Sequence, residues 1–191
     1  MKRFAALVFL FFTLLFSRSL PAQWFFGVKF MGLTFHPGEN RNSKYYDITF
    51  GKKKRFVLNA GIALTAEYMF YPNVSAKIDQ AIFRDCAGKF AGMTMFNLRY
   101  TVGLGKLGNG SAGMGPFFFY RRDWNSFEEY YDEGFFRRSE NGKWQTKFVW
   151  YGGELEHNFP IGNGFDISTN LLPGIPVVYA LAPGIRYSPL R

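Results

Sequence analysis

Leu58-Asn59-Ala60-Gly61-Ile62-Ala63-Leu64-Thr65-Ala66-Glu67-Tyr68-Met69-Phe70 alternates two kinds of residue with a period of two. Leu58, Ala60, Ile62, Leu64, Ala66, Tyr68 and Phe70 share one face of an extended chain, and Asn59, Gly61, Ala63, Thr65, Glu67 and Met69 share the other. A helix would scatter both sets around its axis, so the segment reads as a strand with an apolar face and a small-or-polar face. The pattern recurs. Phe96, Leu98, Tyr100 and Val102 stand against Asn97, Arg99 and Thr101, and Ile167, Thr169 and Leu171 stand against Asp166, Ser168 and Asn170.

Working outward, eight segments bounded by Gly, Pro or Asn read as strands: 24–36, 56–71, 75–85, 90–105, 112–122, 144–159, 164–172 and 177–188. Residues paired across two strands must face the same side, which makes each hairpin a check on the faces. Closing a hairpin at Asn109-Gly110 pairs Val102 with Phe117, Tyr100 with Phe119 and Arg99 with Tyr120. Closing the next over Ile161-Gly162-Asn163 pairs Asn158 with Asp166, Glu156 with Ser168 and Glu154 with Asn170. The connections after strands two, four and six are short, whereas Pro37 to Arg55 and Asp123 to Lys143 are long. That asymmetry matches a membrane barrel with short periplasmic turns and long external loops.

The chain begins Met1-Lys2-Arg3, continues without a charge from Phe4 to Phe16, and reaches Pro21-Ala22-Gln23. A basic start, a short apolar run and a small residue before a polar one predict a secretory signal peptide over 1–22, leaving 23–191 as one barrel domain. Without Lys2, Arg3 and Arg18 the mature chain has 20 basic and 14 acidic residues, net +6 rather than the +9 of the whole sequence. Aromatic residues are 20% of the chain, and 21 glycines punctuate it. No later stretch approaches the ~18 apolar residues of a spanning helix. Cys86 is the only cysteine, so no intramolecular disulfide forms.

A soluble lipocalin-like barrel shows the same alternation with the faces reversed, so the character of the polar face decides. It is made of Gly, Ala, Ser, Thr and Asn with scattered charges of both signs, which suits a narrow filled interior better than a solvated surface. Tyr68, Phe70, Tyr100, Phe117, Phe119, Tyr151, Phe159 and Tyr187 are expected on the apolar face as aromatic girdles. The fold expected is all-β, an antiparallel up-and-down transmembrane β-barrel of about eight strands. At this point the chain resembles the small bacterial outer-membrane β-barrel proteins, the group that includes the transmembrane domain of outer membrane protein A. Such precursors usually end in Gly-x-x-aromatic-x-aromatic. Gly184-Ile185-Arg186-Tyr187-Ser188-Pro189 matches the glycine and the first aromatic and then departs at Pro189. The resemblance implies the outer membrane of a Gram-negative bacterium, with lipid and lipopolysaccharide as surroundings and no cofactor.

Three sets of side chains are candidate sites. Glu67, Lys77, Asp79, Arg99, Glu154, Glu156, Asp166 and Arg186 are expected in the lumen, where isolated charges would be costly and an ion-pair network is the stable arrangement. Trp124, Phe127, Tyr130, Tyr131, Phe135 and Phe136 form an aromatic loop suited either to contact with other outer-membrane proteins or to packing on the rim. Lys52, Lys53, Lys54 and Arg55 form a basic run suited to lipopolysaccharide phosphates; an exported barrel would not normally meet nucleic acid. Gly103-Leu104-Gly105-Lys106-Leu107-Gly108 mimics a dinucleotide fingerprint, but no helix follows it. No catalytic constellation or metal set emerges. His157 has Phe159 where a lipid A deacylase-like barrel would carry serine, and His36 has no second ligand at useful spacing. The leading reading is a non-enzymatic barrel with a structural or interaction role, as an accessory subunit of a larger outer-membrane assembly. A lipid-modifying enzyme and a narrow pore are the alternatives.

Overall fold

Alternating β-branched, aromatic and small residues favour strands over helices, and strands are what the chain forms. The computed structural model describes residues 23–37, 41–51, 53–132, 134–174 and 178–189, so the expected signal peptide lies outside the described residues. Eight long strands carry the fold: β1 Gln23–Phe35, β2 Phe56–Tyr71, β3 Val74–Arg84, β4 Phe90–Gly103, β5 Asn109–Arg122, β6 Trp144–Gly162, β7 Phe165–Gly174 and β8 Val178–Tyr187. Each pairs antiparallel with its neighbours in sequence, and β8 returns to pair with β1. The sheet has closed on itself, so the eight long strands leave no free edge. Their lengths run from 10 to 19 residues, enough to cross a membrane, which takes about 9 to 11 tilted residues.

The faces settle the choice between soluble and membrane barrel. Trp24, Phe26, Val28, Phe30, Ile62, Leu64, Ile78, Ile82, Phe96 and Leu98 all point outward and are 44–57% exposed. Soluble monomers rarely carry an apolar belt of this extent to water, and lipid is the solvent that suits it. Lys77, Asn97, Arg99, Glu154 and Asp166 meanwhile lie inside, at most 2% exposed. Aromatic clusters mark both rims: Trp24 with Tyr68 and Phe165 with Tyr187 at the short-turn end, Phe90 with Trp144 and Tyr120 at the long-loop end. The chain is an antiparallel barrel of the outer-membrane type.

The expected hairpin registers are corrected in two places. At the β4–β5 connection the chain closes through a 3₁₀ turn, Gly105–Leu107, with Gly103 opposite Asn109 and Val102 opposite Gly110. Asn109-Gly110 thus opens β5 and is no turn. Relative to the expected pairing this is an odd slip, which inverts every side chain of β5. Phe117 and Phe119 therefore face the lumen, and Phe118 and Tyr120 take the outer face. At the β6–β7 connection the turn is Asn163-Gly164, both at positive φ, a two-residue hairpin geometry. Glu156 pairs with Asn170 and Asn158 with Ser168, a slip of two residues that preserves both faces.

One bulge governs β6. Gly115 pairs with Gly152 and Phe117 with Val149, so Pro116 alone faces both Trp150 and Tyr151. Proline lacks the N–H that a regular ladder needs, and a bulge is where a sheet tolerates it. Trp150 and Tyr151 both point outward, 74% and 72% exposed, and the inward alternation changes phase between Val149 and Gly152. The two long loops carry short strands of their own. Thr49–Phe50 pairs with β2, and Arg137–Arg138 pairs with β6.

Candidate functional site

The lumen is divided into two layers. In the half nearer the short turns, strand alternation brings nine charged side chains together: Lys29, Glu67, Lys77, Asp79, Arg99, Glu154, Glu156, Asp166 and Arg186, none more than 4% exposed. Arg186 binds Asp166 at 3.0 Å and Glu67 at 3.3 Å; Arg99 binds Glu67 at 2.6 Å, Glu154 at 2.9 Å and Glu156 at 3.4 Å. Lys77 lies 2.7 Å from both Glu154 and Glu156 and 3.2 Å from Asp79, and Lys29 pairs with Glu156. Ser75 donates to Glu67 at 2.5 Å, Asn170 donates to Glu154 at 3.0 Å, and the Arg186 guanidinium lies over the Phe25 ring at 4.2 Å. Four cations thus meet five carboxylates in one connected network across the barrel. Desolvating each ion costs several kcal/mol, which only close pairing offsets. Gly113 supplies the room: a Cβ there would sit 2.8 Å from the Arg99 Cγ and 3.0 Å from the Glu154 Cγ.

All eight charges expected in the lumen are in this plug, and Lys29 joins them. Its signal was present in the sequence, because Phe25, Gly27, Lys29 and Met31 alternate with Trp24, Phe26, Val28 and Phe30.

Toward the long loops the lumen turns apolar. Met31, Ala63, Ala81, Phe83, Ala91, Met95, Phe117, Val149, Leu172 and Ala182 form one buried cluster, with Met93, Phe119 and Ala180 against it. A cavity of about 200 Å³ opens above this layer and is capped by the loops.

The cap is held by contacts between loops. Asn42 and Tyr131 exchange two hydrogen bonds, Nδ2 to the carbonyl at 2.9 Å and the Tyr131 N–H to Oδ1 at 3.0 Å. Lys44 meets Glu129 at 2.5 Å, and Tyr45 stacks on Phe127 with centroids 4.6 Å apart. Trp124 is buried and donates its indole N–H to Asp85 at 2.7 Å. Burial raises the Asp85 carboxyl above the usual range, and that indole bond together with the Lys89 and Ala87 N–H groups pulls it back. Burial holds the His36 imidazole down to about 4, with its Nδ1 against the Tyr46 hydroxyl at 3.3 Å. Cys86 packs on the Tyr46–Val57–Trp124 cluster, and burial, then the Asp85 charge, pushes its thiol up to about 12. It is a packing residue.

The aromatic loop is therefore largely folded inward. Trp124, Tyr130, Phe135 and Phe136 line the cavity, Phe127 packs beneath Tyr45 and Lys89, and Tyr131 remains 46% exposed. Lys53 and Lys54 are exposed at the outer rim, Arg55 is half-buried, and Lys52 lies outside the described residues. His157 points to the lipid side at the opposite rim and contacts the Leu107 carbonyl at 2.7 Å, whereas Ser168 lies inside the wall, so the two do not meet.

No family model matches the chain, and no curated protein matches it. Among solved structures it is similar to Ail, the attachment invasion locus protein of Yersinia pestis, solved in complex with the heparin analogue sucrose octasulfate. The identity is 10%, with 87% of this chain and 97% of that chain covered and a TM-score of 0.43. It is also similar to the outer membrane protein OprG from Pseudomonas aeruginosa, at 12% identity over 87% of this chain and 93% of that chain, TM-score 0.38. Both scores lie below one half, and the fold assignment rests on the strand pairing and the two faces.

Proposed function

We propose that this chain is a non-enzymatic outer-membrane barrel, sealed to ions, that acts as a structural or interaction protein through its external loop cap. The observation that carries the reading is the connected ion-pair plug of nine buried charges. A pore needs a wetted path, and a network in which carboxylates and cations neutralise one another leaves none across that layer. What remains available to partners is the cap. Ile48, Phe50 and Tyr131 are 46–51% exposed on loops held in place by mutual contacts, a combination suited to contact with another outer-membrane protein. Lys53 and Lys54, exposed on the same rim with Arg55 half-buried beside them, complement lipopolysaccharide phosphates.

Purified barrel in planar bilayers is expected to show no conductance above the lipid background. Extraction in mild detergent is expected to recover it with another outer-membrane protein, and deletion of Ser126 to Asn141 is expected to lose that association. Steady ohmic channels would overturn the sealed barrel. Recovery as a lone monomer from wild-type membranes would overturn the assembly role.

A further inference from the structure

We propose that the apolar outer half of the lumen is a binding site for a small monocarboxylate with a single-ring or short alkyl body, its carboxylate held by Arg121. Arg121 stands in β5 at the level of the loop cap and is 7% exposed. Its guanidinium is clamped between two rings, 4.1 Å from the Trp124 centroid and 3.9 Å from that of Phe136. Nε donates to the Gln145 side chain at 2.9 Å and Nη2 to the Tyr130 hydroxyl at 3.1 Å; Nη1 makes no hydrogen bond to a described residue.

The contrast with the plug carries the inference. Lys29, Lys77, Arg99 and Arg186 are each within ion-pair distance of at least one carboxylate. Arg121 is buried nearly as deeply and has no carboxylate within that distance among the described residues. A buried cation with no carboxylate in direct contact is costly, and Asp85 attracts this guanidinium only from beyond ion-pair distance. The nearby acidic groups are engaged elsewhere: Asp85 accepts from Trp124, Ala87 and Lys89, and Asp123 from Asn125 and Arg138. Asp85 and Asp132 line the same cavity, Asp85 bound to the Trp124 indole and Asp132 exposed at the mouth.

Arg121 lines the cavity, and around it stand Phe83, Met93, Met95, Phe117, Phe119 and Leu172. A ligand that completes this site needs an anionic head and an apolar body. The space of about 200 Å³ sets the size, since an engineered apolar cavity of about 150 Å³ admits benzene. His36 Nε2, which has no partner among the described residues, offers a second polar contact in the same cavity. The plug closes the space below, so the ligand is taken from the outer side and held there.

The four tryptophans provide the assay. Trp24 and Trp150 are exposed to lipid and Trp144 sits at the rim, so replacing all three with Phe leaves Trp124, 2% exposed on the cavity wall, as the only indole. In nanodiscs, 4-bromobenzoate is expected to quench this indole saturably. 4-Bromobenzyl alcohol, which partitions into lipid more readily, is expected to bind about tenfold more weakly, the difference a charge-assisted hydrogen bond makes. Arg121→Gln is expected to erase the preference for the carboxylate. Ala180→Phe and Leu172→Phe fill the cavity and are expected to abolish saturable quenching in whichever still migrates as a folded, heat-modifiable barrel. Equal binding of acid and alcohol by the unfilled protein, which needs no further variant, would overturn the carboxylate assignment. Quenching that never saturates, or that persists in a filled barrel, would overturn the site.

Discussion

At the scale of single residues, the plug depends on how many partners each charge holds. Glu156 faces Lys29, Lys77 and Arg99 at once, so Glu156→Gln leaves three buried cations short of a counter-charge. Breaking a buried pair from one side costs about 3 to 5 kcal/mol. A shift of that size toward instability is expected in urea unfolding of the barrel refolded into liposomes, and a loss under 1 kcal/mol would mean the network is solvated. His36 gives the cap a pH dependence of definite sign. Burial holds it near 4 in the folded cap, against about 6.5 in an open chain. Between those values the opened loop binds the proton and the folded one does not, so cap stability is full above about pH 6.5 and drains as pH falls toward 4. Asp85, with its carboxyl raised, works in the opposite direction on acidification, which is why the comparison is with His36→Phe. Acrylamide access to Trp124 is expected to rise between pH 7 and pH 4.5 in the wild type, and to rise less in that variant.

At the scale of elements, alternation was legible in the sequence and register was not. The faces of β2, β4 and β7 follow from period two alone, because each runs without interruption past a single environment. β5 departs from its expected faces for a physical reason. Asn109-Gly110 has hairpin chemistry, yet the 3₁₀ turn Gly105–Leu107 closes the connection earlier, and a seven-residue change in register inverts an alternating strand. The candidate lumen charges survived because none of them lies on β5. The bulge opposite Pro116 permits a sharper test. Trp150 and Tyr151 together oppose one residue, so deleting Trp150 leaves Val149 inward, Tyr151 outward and Gly152 inward without a break in phase. Deleting Leu155 instead makes Glu154 and Glu156 adjacent and drives one of them into lipid. The first deletion is expected to give a heat-modifiable folded band and the second none. Equal tolerance of both would show that the plug does not fix the register of β6.

At the scale of the whole molecule, the charged layer and the loop cap divide the work. The plug lies on the short-turn side of the apolar layer, the eight ladders run past both, and no cap residue contributes to the ion pairs of the plug. The barrel should therefore outlast its cap, while the cap itself behaves as a unit. Segment 41–51 reaches 127–131 through the Asn42–Tyr131 pair, the Lys44–Glu129 ion pair, the Tyr45–Phe127 stack and the Tyr45 hydroxyl on the Glu128 carbonyl. Each exposed polar contact is worth little alone, because water screens it, so the order of one loop depends on the sum of its contacts with the other. Replacing Ser126 to Asn141 with a short Gly-Ser turn removes every one of these partners at once. Trypsin is then expected to cut the deletion variant at Lys53, Lys54 or Arg55 faster than it cuts the intact protein, while the urea midpoint of the barrel moves little. Unchanged resistance at these sites would mean that the first loop is ordered by its own short pairing with β2, Thr49 to Val57 and Phe50 to Phe56, and not by the second.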